Sequence, residues 1–205
     1  MGIFEATVGY FLHLVSFGYS FLVWFPAAVF FMSGVYNKTK KVSSIFYVGF
    51  LCAAIKLLNF LLPIRIDMVI NPAISIVFEA LAMAGVVYAI KRISVRSIAF
   101  KGLIALVLNT AWRVLFVLYL ALFVPAWMRE ISVISQIDKF IKFFITQNLL
   151  TRGVIFIGYL FKPYIFAPVE LIDKKIFAYF GKVPVLQPII ASLLLFTNIL
   201  LGLVL

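Results

Sequence analysis

Lys56, Glu79 and Arg113 stand deep inside long apolar runs, where ordinary membrane or core residues carry no charge. An ionisable group in such a place is costly unless paired, so each marks a position where binding or specific pairing is done. Their polar neighbours are spaced for a helix. Asn59 follows Lys56 by one turn. Asn71, Ser75 and Glu79 recur every four residues, as do Asn109 and Arg113, so each set shares one helical face. Two readings fit these stripes. In the first, Lys56, Asn59, Glu79, Asn109 and Arg113 line a polar cavity between helices and hold a small solute by hydrogen bonds and charge. In the second they are glue: Lys56 neutralises Glu79, and Asn and Ser side chains bond from helix to helix. No acidic residue in its own run can pair with Arg113.

Catalytic constellations are absent from the sequence. No Ser or Cys nucleophile has a His beside it, no Gly-rich phosphate loop is present, and no ATPase motif occurs. His13 is the only histidine and Cys52 the only cysteine, which gives neither metal-ligand spacing nor an internal disulfide. An enzyme acting on lipid or isoprenoid through Glu5 or Glu79 would lack a second catalytic group. The chain is therefore read as a non-enzyme with no cofactor and no metal.

Such stripes need helices to carry them, and the composition says in which solvent. Hydrophobic residues make up 65% of the 205 and charged residues 12%, against about 25% charged in ordinary soluble domains. A chain of this size has too little interior to hide that much apolar surface from water. The expectation is an all-α polytopic membrane bundle, a single integral membrane domain over 1–205. The formal net charge of +11 is concentrated between apolar runs, at Lys38, Lys40 and Lys41 and at Lys91, Arg92, Arg96 and Lys101. That is the pattern of cytoplasmic loops facing anionic headgroups, not of a nucleic-acid surface.

A bilayer crossing takes about 20 apolar residues. Residues 3–36 are read as a hairpin (3–16 and 20–36) or as one long helix. Further spans are expected at 43–62, at 72–90 with Asn71 and Pro72 at its start, at 99–127 with Trp127 as an interfacial anchor, and at 184–205. Within 128–183, Ile134, Ile137, Ile141, Phe144 and Ile145 form an apolar face opposite Asp138, Lys139 and Lys142. Val169, Ile172, Ile176 and Phe180 form another. These read as amphipathic interfacial or re-entrant helices, with the alternative that 140–162 crosses and carries Arg152. Either way about six transmembrane helices result. The hairpin reading places the N-terminus in the cytoplasm. Ala80, Ala84 and Gly85 form a small-residue face of the kind that lets helices approach closely.

The stretch Gly2–Tyr10 with His13, the Phe25–Pro26 step and above all Lys56–Glu79 (KLLNFLLPIRIDMVINPAISIVFE) resemble a family of small bacterial membrane proteins. That family is described as core or substrate-specific (S) components of energy-coupling factor (ECF) transporters, and the resemblance covers roughly the first 90 residues. It implies a six-helix substrate-binding protein of the bacterial inner membrane that captures a vitamin or a metal ion from outside. It also implies a separate transmembrane coupling subunit and ATPase subunits as partners, with Ala80, Ala84 and Gly85 able to carry the contact with the coupling subunit. The alternative is a structural or assembly subunit of a larger membrane complex with no substrate of its own.

Overall fold

A computed structural model of the chain describes residues 21–61, 65–90, 97–130 and 132–160. Among the described residues the secondary structure is helical, with no strand. In chain order the helices are α1 (Phe21–Thr39), α2 (Val42–Leu57), α3 (Asp67–Ile90), α4 (Ile98–Phe123), α5 (Ala126–Arg129), α6 (Ile137–Ile141) and α7 (Gln147–Leu160). A 3-10 turn, Leu58–Leu61, extends α2, and a π-helical segment, Lys142–Thr146, joins α6 to α7.

Four of these rods are long and apolar enough to cross a bilayer: Val42–Leu61, Asp67–Ile90, Gly102–Phe123 and Ile137–Gly158. Their outward faces carry Tyr47, Phe50, Leu51, Leu61, Tyr88, Leu122 and Ile137. A contiguous apolar surface of this kind is unfavourable in water and suited to lipid. The chain is thus a helical, membrane-embedded protein. Helix α1 covers the 20–36 part of the first apolar run, whereas residues 3–16, which would distinguish a hairpin from one long helix, and the span expected at 184–205 lie outside the described residues. So does the amphipathic face at 169–180. Residues 137–158, within the region 128–183 read as interfacial, form one continuous helical rod packed on α1 and α4.

Two boundaries differ from expectation. The helix expected to begin at Asn71–Pro72 begins at Asp67, with Pro72 inside it. Asp67 is held by Arg65 through paired bonds of 3.0 and 2.8 Å. A carboxylate at this end also complements the exposed N–H groups of the first turn, so the helix nucleates a turn ahead of the proline. The run expected to reach Trp127 breaks at Val124, whose extended backbone is what a following proline, here Pro125, imposes. At the far end of α1, Lys40 takes the left-handed conformation (φ 57°), and its N–H returns to the Tyr36 carbonyl at 2.7 Å. This is the usual way of stopping a helix and reversing the chain.

Helices α2 and α3 are antiparallel and meet at glycine. A Cβ on Gly49 would collide with the Cβ of Ala80. Cys52, Ala53, Ala73 and Ile76 continue the seam. A larger cluster built on Phe25, Met32, Ile45, Met83, Leu108, Trp112, Phe143 and Ile155 ties α1, α4 and α7 to it. The two ends of the bundle are electrically different. One holds the α1–α2 turn with Lys38, Lys40 and Lys41 and no acidic residue. At the other, Arg65 stands with Asp67, Arg129 beside Glu130, and Lys139 beside Asp138.

Candidate functional site

At the mixed-charge end, α1, α3 and α4 enclose a cavity of about 250 Å³. One wall is the predicted stripe of α3: Asn71, Ser75 and Glu79, with Pro72 and Ile76 between them. The other walls are aromatic, from Phe21, Trp24 and Phe25 of α1 and Trp112 and Phe116 of α4. Four-residue spacing on one helix sets the three polar groups in a column. The rings opposite are held by one another. Trp112 lies 5.5 Å from Phe25 and 6.3 Å from Phe116, centroid to centroid.

Behind Trp112 lies a largely buried polar network. The indole Nε1 donates to Asn109 Oδ1 at 2.9 Å. Asn109 Nδ2 donates in turn to Asn148, to its side-chain oxygen at 2.7 Å and its carbonyl at 3.0 Å. Asn148 Nδ2 donates back to Thr110 Oγ1 at 2.9 Å. Arg113, 1% exposed, donates from Nη1 to the Phe143 carbonyl at 2.7 Å and sits in the corner made by the perpendicular Trp112 and Phe143 rings, at 4.8 and 4.4 Å from their centroids. Such contacts are favourable to a desolvated cation. The charge of Glu79 on the neighbouring helix also acts on Arg113. The cation that had no acid in its own run thus has acceptors and two rings around it. Among the described residues no buried side-chain polar atom lacks a hydrogen-bond partner.

The five residues proposed from sequence therefore fall into three places. Glu79 is in the cavity wall. Asn109 and Arg113 are in the network that backs Trp112. Lys56 and Asn59 are buried at the end of α2 and its 3-10 turn, apart from the residues lining the cavity. Helix register explains the separation. With Gly49 against Ala80, Lys56 is two turns further along and falls near Ala73, about 9 Å along the axis from Glu79. Arg65 and Asp67 form an ion pair at 2.8 Å. No group of three His, Cys, Asp or Glu side chains gathers among the described residues.

Three groups of site residues were not singled out from sequence. Asn71 and Ser75 were visible as a stripe with Glu79 but not chosen. The aromatic walls carry no signal in a chain with 23 Phe. Asn148 and Gln147 sit within an amphipathic pattern in which polar residues pass for a solvated face. The small-residue face is also divided. Ala80 is fully buried against Gly49, whereas Gly85 is exposed with open space where a side chain would be.

No family model, no curated protein and no solved structure matches the chain.

Proposed function

We propose that the chain is the substrate-binding membrane subunit of an ECF-type importer. It captures a small solute for ATP-driven uptake with a coupling subunit and ATPase subunits. The observation that carries this reading is the cavity between α1, α3 and α4, in which a polar column of Asn71, Ser75 and Glu79 faces five aromatic rings. A concave, mainly apolar site with a few convergent polar groups is the general form of a small-molecule site. The resemblance over the first 90 residues supports the same class. One carboxylate among aromatic walls suits a ring-bearing organic solute of vitamin type better than a metal ion, which needs several ligands at once.

The charge difference between the two ends sets the proposed orientation. The basic end lies in the cytoplasm of a bacterial inner membrane, and the cavity then opens toward the outer leaflet. Solute binds there, the subunit reorients against its coupling partner, and ATP hydrolysis elsewhere in the complex drives release. The N-terminus is cytoplasmic if residues 1–20 supply one further crossing.

A second reading, a structural or assembly subunit, draws on the Arg113–Asn109–Asn148 network, whose groups are satisfied within the chain. Native mass spectrometry of the purified full chain separates the two. The expected result is a co-purifying organic molecule that is lost in Trp112→Ala and in Glu79→Gln, and recovery of a coupling subunit from the native membrane. A preparation that carries no such molecule, binds none from a vitamin panel and is recovered only with other partners supports the second reading and overturns the first.

A further inference from the structure

A second cavity, of about 240 Å³, lies at the opposite, basic end of the bundle between α1, α3, α4 and α7. Its depth is apolar: Val29, Met83, Val87, Ala105, Leu108 and Ile155. Its mouth is not. Ser33, Tyr36 and Asn37 bring two hydroxyls and an amide onto one side of the last turns of α1. The residues that follow are Lys38, Lys40 and Lys41, all exposed. Arg152 of α7 stands against α4, with Nη2 3.7 Å from where a Cβ on Gly102 would be.

We infer that this cavity is a binding site for an anionic phospholipid of the cytoplasmic leaflet, with an acyl chain in the apolar depth and the phosphate at the Tyr36–Asn37 mouth. The chemistry is complementary at both ends. Hydrocarbon fits the depth, and a phosphodiester is matched by hydroxyl and amide groups with the exposed Lys38, Lys40 and Lys41 next along the chain. Basic pockets between transmembrane helices at this face are where anionic headgroups are held. A free phosphate would gain the cations but leave the apolar depth unused, and a zwitterionic lipid would gain the depth but little from the cations. The inference uses no residue of the solute cavity, so it stands or falls separately from the proposed transport role.

The test is lipid titration of the detergent-purified full chain, followed by native mass spectrometry. The probes are phosphatidylglycerol and phosphatidylcholine with identical chains. Phosphatidylglycerol is expected to bind at least about tenfold more tightly, and the triple variant Lys38→Gln/Lys40→Gln/Lys41→Gln to remove most of that preference. Asn37→Trp, a change at an exposed position that fills the mouth without touching the core, is expected to weaken both lipids, and millimolar inorganic phosphate is expected not to compete. Equal affinity for the two lipids, a preference unchanged by the triple variant, insensitivity to Asn37→Trp or competition by inorganic phosphate would each overturn the assignment. Circular dichroism of the variants confirms that they fold.

Discussion

The Arg113 guanidinium of α4 donates to the backbone carbonyl of Phe143 at 2.7 Å, and that carbonyl is available because the helix around it is π-wound. Within Lys142–Thr146 the hydrogen bonds step five residues, and the N–H of Gln147 returns to Lys142. The irregular turn thus turns a backbone acceptor toward a neighbouring helix, where a buried cation needs one. This fits the general tendency of π-turns to occur at functional positions.

Removing the cation leaves the Phe143 carbonyl short of a donor in a dry interior, while Asn109 Oδ1 keeps the Trp112 indole. Arg113→Ala is expected to destabilise the folded chain by about 3 kcal/mol, in the range found when one member of a buried charged contact is deleted. Arg113→Lys is expected to recover only part of this, because an ammonium lacks the forked donors that reach the Phe143 carbonyl and Asn109 and is more strongly hydrated than a guanidinium. Thermal unfolding in detergent measures both. An Arg113→Ala protein as stable as wild type would show that the network contributes nothing.

The Gly49–Ala80 contact makes a sharper prediction, since it is steric. Gly49→Ala puts a Cβ into the Cβ of Ala80, and overpacking of this kind costs about 1–3 kcal/mol. Ala80→Gly in the same chain removes the obstructing atom. The double variant is therefore expected to be more stable than Gly49→Ala alone, by unfolding in detergent. Additive losses would mean that α2 and α3 do not meet at this pair.

How much of this could be read beforehand differs from residue to residue. Glu79 was legible as a site residue because a charge in an apolar run and a four-residue polar spacing are both one-dimensional signals. The burial of Arg113 and Asn109 was legible for the same reason, but not their partners. Those lie 30 and 39 residues away, on a rod whose Asn148 looks like part of a solvated face. Lys56 and Asn59 carry the same signal as Glu79, and what separates them is the register of α2 on α3. That register is fixed by Gly49 against Ala80, a three-dimensional fit with no polar mark. The early start at Asp67 was missed because Pro72 is the louder local signal, while the Arg65–Asp67 pair that lets the helix begin sooner is quiet.

Within the solute cavity, Trp112 both walls the site and donates to Asn109. Trp112→Phe keeps a ring and removes the donor; Trp112→Ala removes both. If the cavity is the binding site, Trp112→Ala is expected to weaken solute binding by at least about tenfold, the equivalent of roughly 1.4 kcal/mol, and Trp112→Phe by less. Glu79→Gln is expected to act on affinity too, whereas Lys56→Met, outside the lining, is expected to change affinity little. Equilibrium binding of the co-purifying solute reads all four, and an effect of Lys56→Met as large as that of Glu79→Gln would argue against this cavity.

The orientation can be checked with single cysteines, because the native Cys52 is buried at the α2–α3 seam and Cys52→Ser provides a background without thiols. Lys40→Cys reports the basic end and Glu130→Cys the mixed end; both positions are exposed. Cationic loops stay in the cytoplasm. A membrane-impermeant maleimide is therefore expected to label Glu130→Cys in intact cells, and Lys40→Cys only after permeabilisation. Because the solute cavity lies at the end of the bundle that holds Glu130, the same labelling decides from which side solute enters. Labelling of Lys40→Cys in intact cells would reverse the bundle, turn the cavity to the cytoplasm and remove the basis for uptake as the direction of transport.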